Sequence, residues 1–426
     1  MTKNVEALDE VWFKKLHDFY QNDDIRINSF CKISETERRR FFENDVENPQ
    51  FSLCPANILS FDEYQSHVLS FLEEVANSNA NSVVKSVYKA KLERNLAFVP
   101  MYKAVYECDD KAFHKHSVLQ YGKPKKVYFT YIAKRIKELL KATLDTKYTT
   151  EHKRLSKIFS KIDTKNLTIS NEILPPAEDM GETVIGAKEA EVIFKEVLDR
   201  YDINGWQVVV DKEGKRRNFA INPTIKEIYI PSDRALSRRL HVFTEKRARA
   251  VAEHEIGVHV LRASNGSKQS LKLLSLGLAH SIAGEEGLAS YVQQQSEGAN
   301  EFYGFDRYMA ISLAMGLDGH TRDFRSVFEL IEAYYLLTLP ADSENIRSSA
   351  RNAAWATCVR IFRGSTGLNN GQVYTRDIIY FEGNINVWNL LIDKPHIFES
   401  LFVGKFDPLN KDHVDALCEL EIIKPF

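Results

Sequence analysis

The most informative stretch of the chain runs from Thr244 to Gly266 and reads TEKRARAVAEHEIGVHVLRASNG. Thr244 is a residue type that commonly caps the start of a helix, because its side-chain oxygen can accept a bond from a free backbone N–H. Asn265 and Gly266 form a typical helix stop. The stretch therefore predicts one helix that begins after Thr244 and ends near Gly266.

Inside this predicted helix, the sequence His-Glu-Ile-Gly-Val-His contains the side chains that can carry chemistry, His254, Glu255 and His259. Neutral imidazoles are the commonest ligands of zinc, and a carboxylate beside one of them can take a proton from a metal-activated water. The familiar zinc-protease motif, H-E-x-x-H, has a shorter spacing, whereas here position 258 is valine. At about 100° per residue, a regular helix would hold the two rings roughly 140° apart.

This longer spacing leaves two interpretations. In a regular helix, His254 and His259 lie on different faces and are two unrelated residues of a buried helix. If one turn widens to the i→i+5 hydrogen bonds of a π-helix, both rings can point into one cavity, and such turns occur often at functional sites. Gly257 lies between the histidines, where it weakens a regular helix and removes side-chain bulk. The second interpretation predicts irregular hydrogen bonding near Gly257.

A second stretch, residues 284–289, reads GEEGLA at the predicted start of a later helix. Two histidines from one helix and a glutamate from a later helix form the three-ligand set of catalytic zinc sites, which leave a fourth position for water. Glu285 and Glu286 are both candidates for that glutamate, and Glu285 alone could simply stabilise the N-terminus of the helix. His280 is a nearby competitor as a ligand, although a supporting or core role is favoured for it.

A third stretch runs from Arg360 through RIFRGSTG to YTRDIIYFEGN. Arg360 and Arg363 are close to a helix end and three positions apart, so they point to one face. Planar guanidinium groups suit the bidentate recognition of a carboxylate. The alternative is that the two arginines neutralise the helix C-terminus or pair with Asp377 and Glu382.

The same stretch contains two further candidates for substrate binding, Arg376 and Tyr380. The hydroxyl of Tyr380 could donate a hydrogen bond to a tetrahedral oxyanion. A role in the core is the favoured alternative for this tyrosine.

The rest of the chain predicts an α+β fold that is mainly helical. Three short strand candidates begin at Trp206, Arg217 and Lys226 and are separated by turns, which predicts a small antiparallel sheet. One strand of this meander over residues 206–231, with Lys226–Pro231 as the first candidate, is expected to lie beside an extended substrate. The length of 426 residues allows two or three packed units. We predict an N-terminal helical region over residues 1–170 and a second domain over residues 171–426.

Composition and charge exclude several classes of protein. Since 57 Lys and Arg nearly balance 59 Asp and Glu, the net charge of −2 requires neither nucleic acid nor an acidic membrane as a partner. The five cysteines are scattered without a C-x-x-C pair, which argues against a disulfide framework and a cysteine-based zinc module. The N-terminus lacks the apolar stretch of a signal peptide, and no apolar run is long enough to span a membrane. We expect a cytoplasmic protein without membrane contact.

One basic segment, residues 111–161, needs a separate interpretation. A solvated helical face is favoured, and the alternative is a surface that attracts an acidic partner. The segment contains no recognised nucleic-acid module, so nucleic acid is not an expected partner.

The three stretches together resemble the QEGLA-motif proteins named for flavohaemoglobin expression modulation in bacteria. The animal relatives of those proteins include the microtubule-associated tyrosine carboxypeptidases. The resemblance covers roughly residues 175–383 and rests on HEIGVHVLRASNG, EEGLASYV and RIFRGSTG…YTRDIIYFEGN. It implies a zincin-like metallopeptidase core within residues 171–426.

The resemblance also implies roles for individual residues. His254 and His259 would be ligands of one Zn²⁺ per chain, and Glu255 would be the general base. Glu286 would be the third ligand, because it occupies the place of the acidic letter in QEGLA. Arg360 and the other candidates of the third stretch would bind the substrate.

The implied function is that of a zinc metallocarboxypeptidase, which releases a C-terminal residue from the tail of a peptide or protein. The animal relatives suggest tyrosine as that residue, and the basic segment makes an acidic tail a candidate substrate. Two alternatives are a non-enzymatic regulator or adaptor with a structural or vestigial zinc site, and a zinc hydrolase of a non-peptide amide or ester. Structural zinc sites usually have four protein ligands, so the spare carboxylate of Glu255 favours the enzyme.

Overall fold

The computed structural model describes residues 8–22, 31–53, 61–165, 167–181, 183–214, 218–237, 242–339 and 345–426. In this part of the chain the fold is mainly helical and α+β, as the sequence predicts. None of the described helices combines the length and the apolar composition that crossing a membrane requires.

The α-helices are α1 (Glu10–Asn22), α2 (Glu35–Phe42), α3 (Phe61–Asn77), α4 (Ser82–Tyr106), α5 (Asp110–Tyr121), α6 (Lys126–Ala142), α7 (Thr149–Phe159), α8 (Ala187–Arg200), α9 (Asp233–Leu236), α10 (Glu245–Ala252), α11 (Leu261–Gly266), α12 (Ile282–Glu297), α13 (Phe305–Ala314), α14 (Phe324–Thr338), α15 (Ile346–Phe362), α16 (Ile378–Asp393) and α17 (Lys411–Glu419). Short 3-10 helices lie at Lys272–Ser275, Thr375–Asp377 and Pro395–Phe402, and a π-helix lies at Glu253–Val260. The strands are β1 (Cys31–Lys32), β2 (Ser52–Leu53), β3 (Gln207–Val210), β4 (Ala220–Asn222) and β5 (Glu227–Ile230).

The larger sheet is mixed, so the predicted antiparallel sheet is wrong. Its strand order is β3-β5-β4, with β5 in the centre, parallel to β3 and antiparallel to β4. A turn joins β4 directly to β5, whereas β3 and β4 lie on opposite edges of the sheet. The sequence pattern of β3 does not show whether it pairs with β4 or with β5, because strands this short have no register-specific signal. Arg217, the predicted start of the second strand, lies outside the described residues.

The buried apolar residues form clusters that combine early and late parts of the chain. The ring of Phe41 lies against the rings of Phe324 and Trp355, with centroids 5.3 Å apart in both pairs. Tyr88 of α4 shares a second cluster with Leu274. A third cluster fills the space between the larger sheet, α8 and α10. The division at residue 170 stays a prediction, and helices from both sides of it support the same cores.

A close contact between α12 and α16 fixes the framework under the candidate site. A Cβ atom added at Gly287 would lie 2.4 Å from the carbonyl oxygen of Gly383. Only glycine lets two helix backbones approach so closely, which explains the second glycine of GEEGLA. On another side α12 contacts the π-helix, so the paired glutamates lie against the helix that contains the histidines.

Candidate metal centre

The predicted helix between Thr244 and Gly266 is present, with an irregular centre. The side-chain oxygen of Thr244 accepts a hydrogen bond from the backbone N–H of Arg247 at 3.3 Å, and α11 ends at Gly266. Between α10 and α11, Glu253–Val260 is a π-helix. The prediction of widened hydrogen bonding near Gly257 is confirmed, and the interpretation with a regular helix is wrong.

The π-helix brings the two histidines together. The ring centroids of His254 and His259 lie 5.1 Å apart. One ligand atom of each imidazole and one carboxylate oxygen of Glu286 all lie within 4.8 Å of one another. His254 is buried, and the other two residues are half-buried. These three side chains form a group that could hold a metal ion.

The two adjacent glutamates have different surroundings. Nδ1 of His259 donates a hydrogen bond to Oε1 of Glu285 at 2.8 Å, because an ionised carboxylate can only accept. Glu285 also accepts a hydrogen bond from Arg262 at 2.6 Å and lies 3.2 Å from Nζ of Lys405. Oε2 of Glu286 lies 3.9 Å from Nε2 of His259. Glu286 therefore lies beside the histidines, whereas Glu285 lies behind His259 and orients its ring.

Local charge and burial set the protonation of these groups. Burial lowers the pKa of His254 to about 3, and the charge of His259 adds to this effect. Burial also raises the pKa of Glu285, but the charges of Lys405 and Arg262 outweigh it and hold that pKa below its usual range. Burial lowers the pKa of His259, but the hydrogen bond and charge of Glu285 outweigh it and raise that pKa. His254 is thus neutral and Glu285 ionised, and a metal ion would compete with a proton for His259.

The donor set fits a metal ion of the zinc type. Two imidazoles and one carboxylate are ligands of catalytic zinc sites that keep an open position. Nδ1 of His254 is buried and has no hydrogen-bond partner in the part of the chain that the structure describes. Such an atom is costly, and a bound cation would give it a partner. His280, the competing ligand, is exposed and does not belong to the group.

The candidate ligands lie in a cleft of about 700 Å³. Its lining includes Glu255, the predicted base, together with Arg360 and Tyr380. Arg360 therefore lies in the same cleft as the two histidines. Arg363 and Arg376 are not among the described residues that line this cleft.

A family model that describes microtubule-associated tyrosine carboxypeptidases matches residues 157–426, more than half of the chain. The chain belongs to this family. The family-matched region contains the histidines, Glu286 and Arg360, while α4 precedes it. Comparisons with curated proteins and with solved structures give no match.

Within the family-matched region, the buried carboxylate of Asp377 lies close to two arginines of the third stretch and to Arg307. Arg360 pairs directly with Asp377, while the shortest separations of Arg363 and Arg307 from this carboxylate are 3.6 Å and 4.0 Å. Burial raises the pKa of Asp377, but the charges of the three arginines outweigh it and hold the pKa well below its usual range. The predicted pairing with Asp377 is confirmed, whereas pairing with Glu382 is wrong because Glu382 bonds to other residues.

An aromatic group beside the histidines could not be predicted from the sequence pattern. Tyr303 is exposed in the cleft, and its ring centroid lies 6.3 Å from that of His254. The guanidinium of Arg307 lies 4.9 Å from the ring of Tyr303 and 4.7 Å from the ring of Tyr380. No motif distinguishes Tyr303 from the other tyrosines of the chain.

The cleft also contains cations from α4, outside the family-matched region. Nζ of Lys91 is buried and donates a hydrogen bond to the carbonyl oxygen of Gly277 at 2.7 Å. Nε of Arg94 is buried and has no hydrogen-bond partner within the described ranges. Arg262, in contrast, had a sequence signal, because it is the one charged residue in the run VLRAS that follows His259.

Proposed function

We propose that the protein is a zinc-dependent carboxypeptidase, which removes one C-terminal residue from the tail of a peptide or protein. The observation that carries the proposal is the convergence of His254, His259 and Glu286 in the cleft that also contains Glu255. Membership of a tyrosine carboxypeptidase family favours tyrosine as the released residue. The relation to QEGLA-motif proteins and a zincin-type core over residues 171–426 belong to the same proposal.

In the proposed mechanism, the two histidines and Glu286 hold Zn²⁺. When bound, zinc polarises the scissile carbonyl group and lowers the pKa of water. Glu255 accepts a proton from the attacking water and returns it to the leaving amine. Tyr380, which lines the cleft, and Tyr303, which is exposed beside His254, are the candidate donors to the carbonyl oxygen as it becomes negative.

The substrate backbone is proposed to lie along β4. Ala220 and Ile221 of this strand line the cleft, and no described strand pairs with its outer edge. An extended peptide can add to such an edge through main-chain hydrogen bonds. The expectation named one strand of the meander over residues 206–231, and β4 is such a strand; its first candidate, Lys226–Pro231, contains β5, which has partners on both edges.

Arg360 is proposed to bind the free α-carboxylate of the substrate. It is the one arginine of the third stretch that both lines the cleft and contacts Asp377 within the described residues. Three arginines surround that single carboxylate, so the group keeps a positive charge that a substrate carboxylate can neutralise. Arg363 and Arg376 do not line the cleft. We propose that they add positive charge next to Arg360 without contacting the substrate.

The proposed tail is acidic, because Lys91 and Arg94 bring further positive charge into the cleft. Neither has a carboxylate partner among the described residues, and both line the cleft. Burial lowers the pKa of Lys91 to about 7, so its charge is present below that pH and lost above it. Burial lowers the pKa of Arg94 as well, but a guanidinium group stays protonated in proteins, so Arg94 is the better residue to test.

Arg94→Ala is expected to reduce the preference for an acidic residue next to the released one. The ratio of kcat/KM values for a Glu peptide and the matching Gln peptide should fall about tenfold, the loss of one charge-assisted hydrogen bond. Lys89→Ala is the matched control, since Lys89 is on the same helix but exposed and lies 3.7 Å from Glu93. Equal slowing of both peptides by Arg94→Ala would show that Arg94 does not contact the acidic side chain.

Glu286→Gln and Glu285→Gln are expected to affect zinc binding differently. Glu286→Gln should lose zinc because it removes a ligand. Glu285→Gln should keep zinc with an affinity weakened about 10–100-fold, because it removes no proposed ligand but neutralises the carboxylate that bonds His259, Arg262 and Lys405. Elemental analysis and competition with a chelator measure both, and thermal melting confirms that each variant is folded. Wild-type zinc affinity in Glu286→Gln would contradict its assignment as a ligand.

The direct test of the function is incubation of zinc-loaded protein with peptides that differ at the C-terminus, followed by mass spectrometry. We expect the loss of one C-terminal residue, fastest for tyrosine, and no loss with metal-stripped protein. Binding of peptides without any cleavage would favour the regulator or adaptor. Hydrolysis of model amides or esters without peptide cleavage would favour the other zinc hydrolase.

A further inference from the structure

The outer face of the π-helix is held by two residues at the end of α8. Oη of Tyr201 donates a hydrogen bond to Oε2 of Glu253 at 2.8 Å. Arg200 pairs with the other oxygen of the same carboxylate, and its guanidinium lies 5.2 Å from the ring of Tyr201. Glu253 is the first residue of the π-helix. Both of its carboxylate oxygens are therefore bound to a neighbouring helix.

This carboxylate lies directly over Gly257. A Cβ atom added at Gly257 would lie 2.7 Å from Oε2 of Glu253 and 3.1 Å from Oη of Tyr201. The side chain of Glu253 thus fills the space that a side chain at position 257 would occupy. The glycine is needed for this contact because any other residue would displace the carboxylate.

A π-helix of this length requires support from outside the helix. π-helices are rare, and the competing conformation of the same residues is a regular α-helix. In an α-helix the five-residue step from His254 to His259 turns the rings roughly 140° apart, which separates the ligand atoms. Contacts that favour the π-helical turn therefore favour the arrangement that can hold a metal ion.

We propose that Arg200, Tyr201 and Glu253 form a clamp that keeps this turn π-helical and so sets the distance between His254 and His259. The three are positioning residues, because they act through the helix and do not face the cleft. The inference rests on the metal site of the proposed function. It does not depend on which bond the enzyme cleaves.

The first test measures the clamp in the protein with and without metal. Tyr201→Phe, which removes one hydroxyl group, and Glu253→Ala are expected to weaken zinc binding about tenfold or more in chelator competition. In the metal-free protein, backbone amides of residues 253–260 should exchange with deuterium faster than in the wild type. Glu245→Ala is the matched control: its ion pair with Arg249 lies on the preceding helical segment, and neither readout should change.

A double-mutant cycle separates the clamp from general destabilisation. Gly257→Ala should weaken zinc binding in the wild-type background, because the new Cβ displaces the carboxylate of Glu253. In the Glu253→Ala background the same substitution should cost much less, since the nearest obstacle is gone and only Tyr201, 3.1 Å away, remains close to the new Cβ. Equal costs in both backgrounds would overturn the proposed contact.

The outcomes distinguish this inference from the proposed function. Wild-type zinc affinity and unchanged deuterium exchange in Glu253→Ala would overturn the clamp, whatever the peptidase activity. A wild-type protein that binds zinc but cleaves no peptide would overturn the proposed function and leave the clamp intact. The exchange measurement on the metal-free protein tests the clamp independently of any bound metal.

Discussion

Glu255→Gln is expected to lower kcat by about 10²–10⁴-fold while the protein keeps its zinc. Glu255 lines the cleft directly beside His254, and the change removes a base without removing a proposed ligand. The glutamine has nearly the same shape, so the fold and the metal site should persist. The kcat for release of a C-terminal residue and the zinc content of the same sample check the expectation together.

Two further variants serve as controls for Glu255→Gln. Glu245→Gln makes the same chemical change on the preceding helical segment, at a residue that does not line the cleft. Glu245 pairs with Arg249 at 2.9 Å. Activity and zinc content should both be retained in this variant. His254→Ala should lose zinc and activity together because it removes a ligand. A Glu255→Gln enzyme with a rate close to that of the wild type would assign the proton transfer to another group.

The centre of the site could be predicted because its decisive feature is local. The spacing of His254 and His259 and the glycine between them determine whether a widened turn can bring the rings together. The rotation of about 100° per residue in an α-helix gives the angle between the two rings from their spacing alone, without any knowledge of the rest of the fold. The structure contains the predicted π-helix.

Features that depend on distant contacts could not be predicted in the same way. The sequence alone does not distinguish Glu285 from Glu286, since their difference arises from Arg262 and Lys405, which bind Glu285 from behind. The order of the strands depends on how the chain crosses the sheet, which no short pattern encodes. The position of Lys91 in the cleft could not be predicted either, because it depends on the tertiary packing of α4.

The third stretch lies between these two cases. Helix spacing correctly brings Arg360 and Arg363 to one buried partner, Asp377. It does not show which of them reaches the cleft, because that depends on the packing of the helix end. Arg360 lines the cleft and Arg363 does not, so the two arginines become a test and its control.

Arg360→Ala is expected to raise KM and to lower kcat/KM. The loss of transition-state stabilisation should be about 2–4 kcal/mol, which is the cost of removing one partner of a buried charge pair. A carboxypeptidase has to bind a free α-carboxylate one residue beyond the scissile bond, and this needs a fixed cation near the metal. Asp377 retains Arg363 and Arg307 in the variant, so the fold should survive. Steady-state kinetics on a free-acid peptide measure the loss.

Amidation of the substrate's C-terminus is a second test of the proposed contact between Arg360 and the α-carboxylate, because it removes the charge on the substrate. For the wild type it should cost about as much as Arg360→Ala does with the free acid, because each change removes one half of a single ion pair. The Arg360→Ala enzyme should then be insensitive to amidation. Arg363→Ala, which also removes a cation from Asp377 but not from the cleft, should keep the wild-type sensitivity. If the wild type cleaves amidated and free-acid peptides equally well, Arg360 does not bind an α-carboxylate and the enzyme cuts within chains.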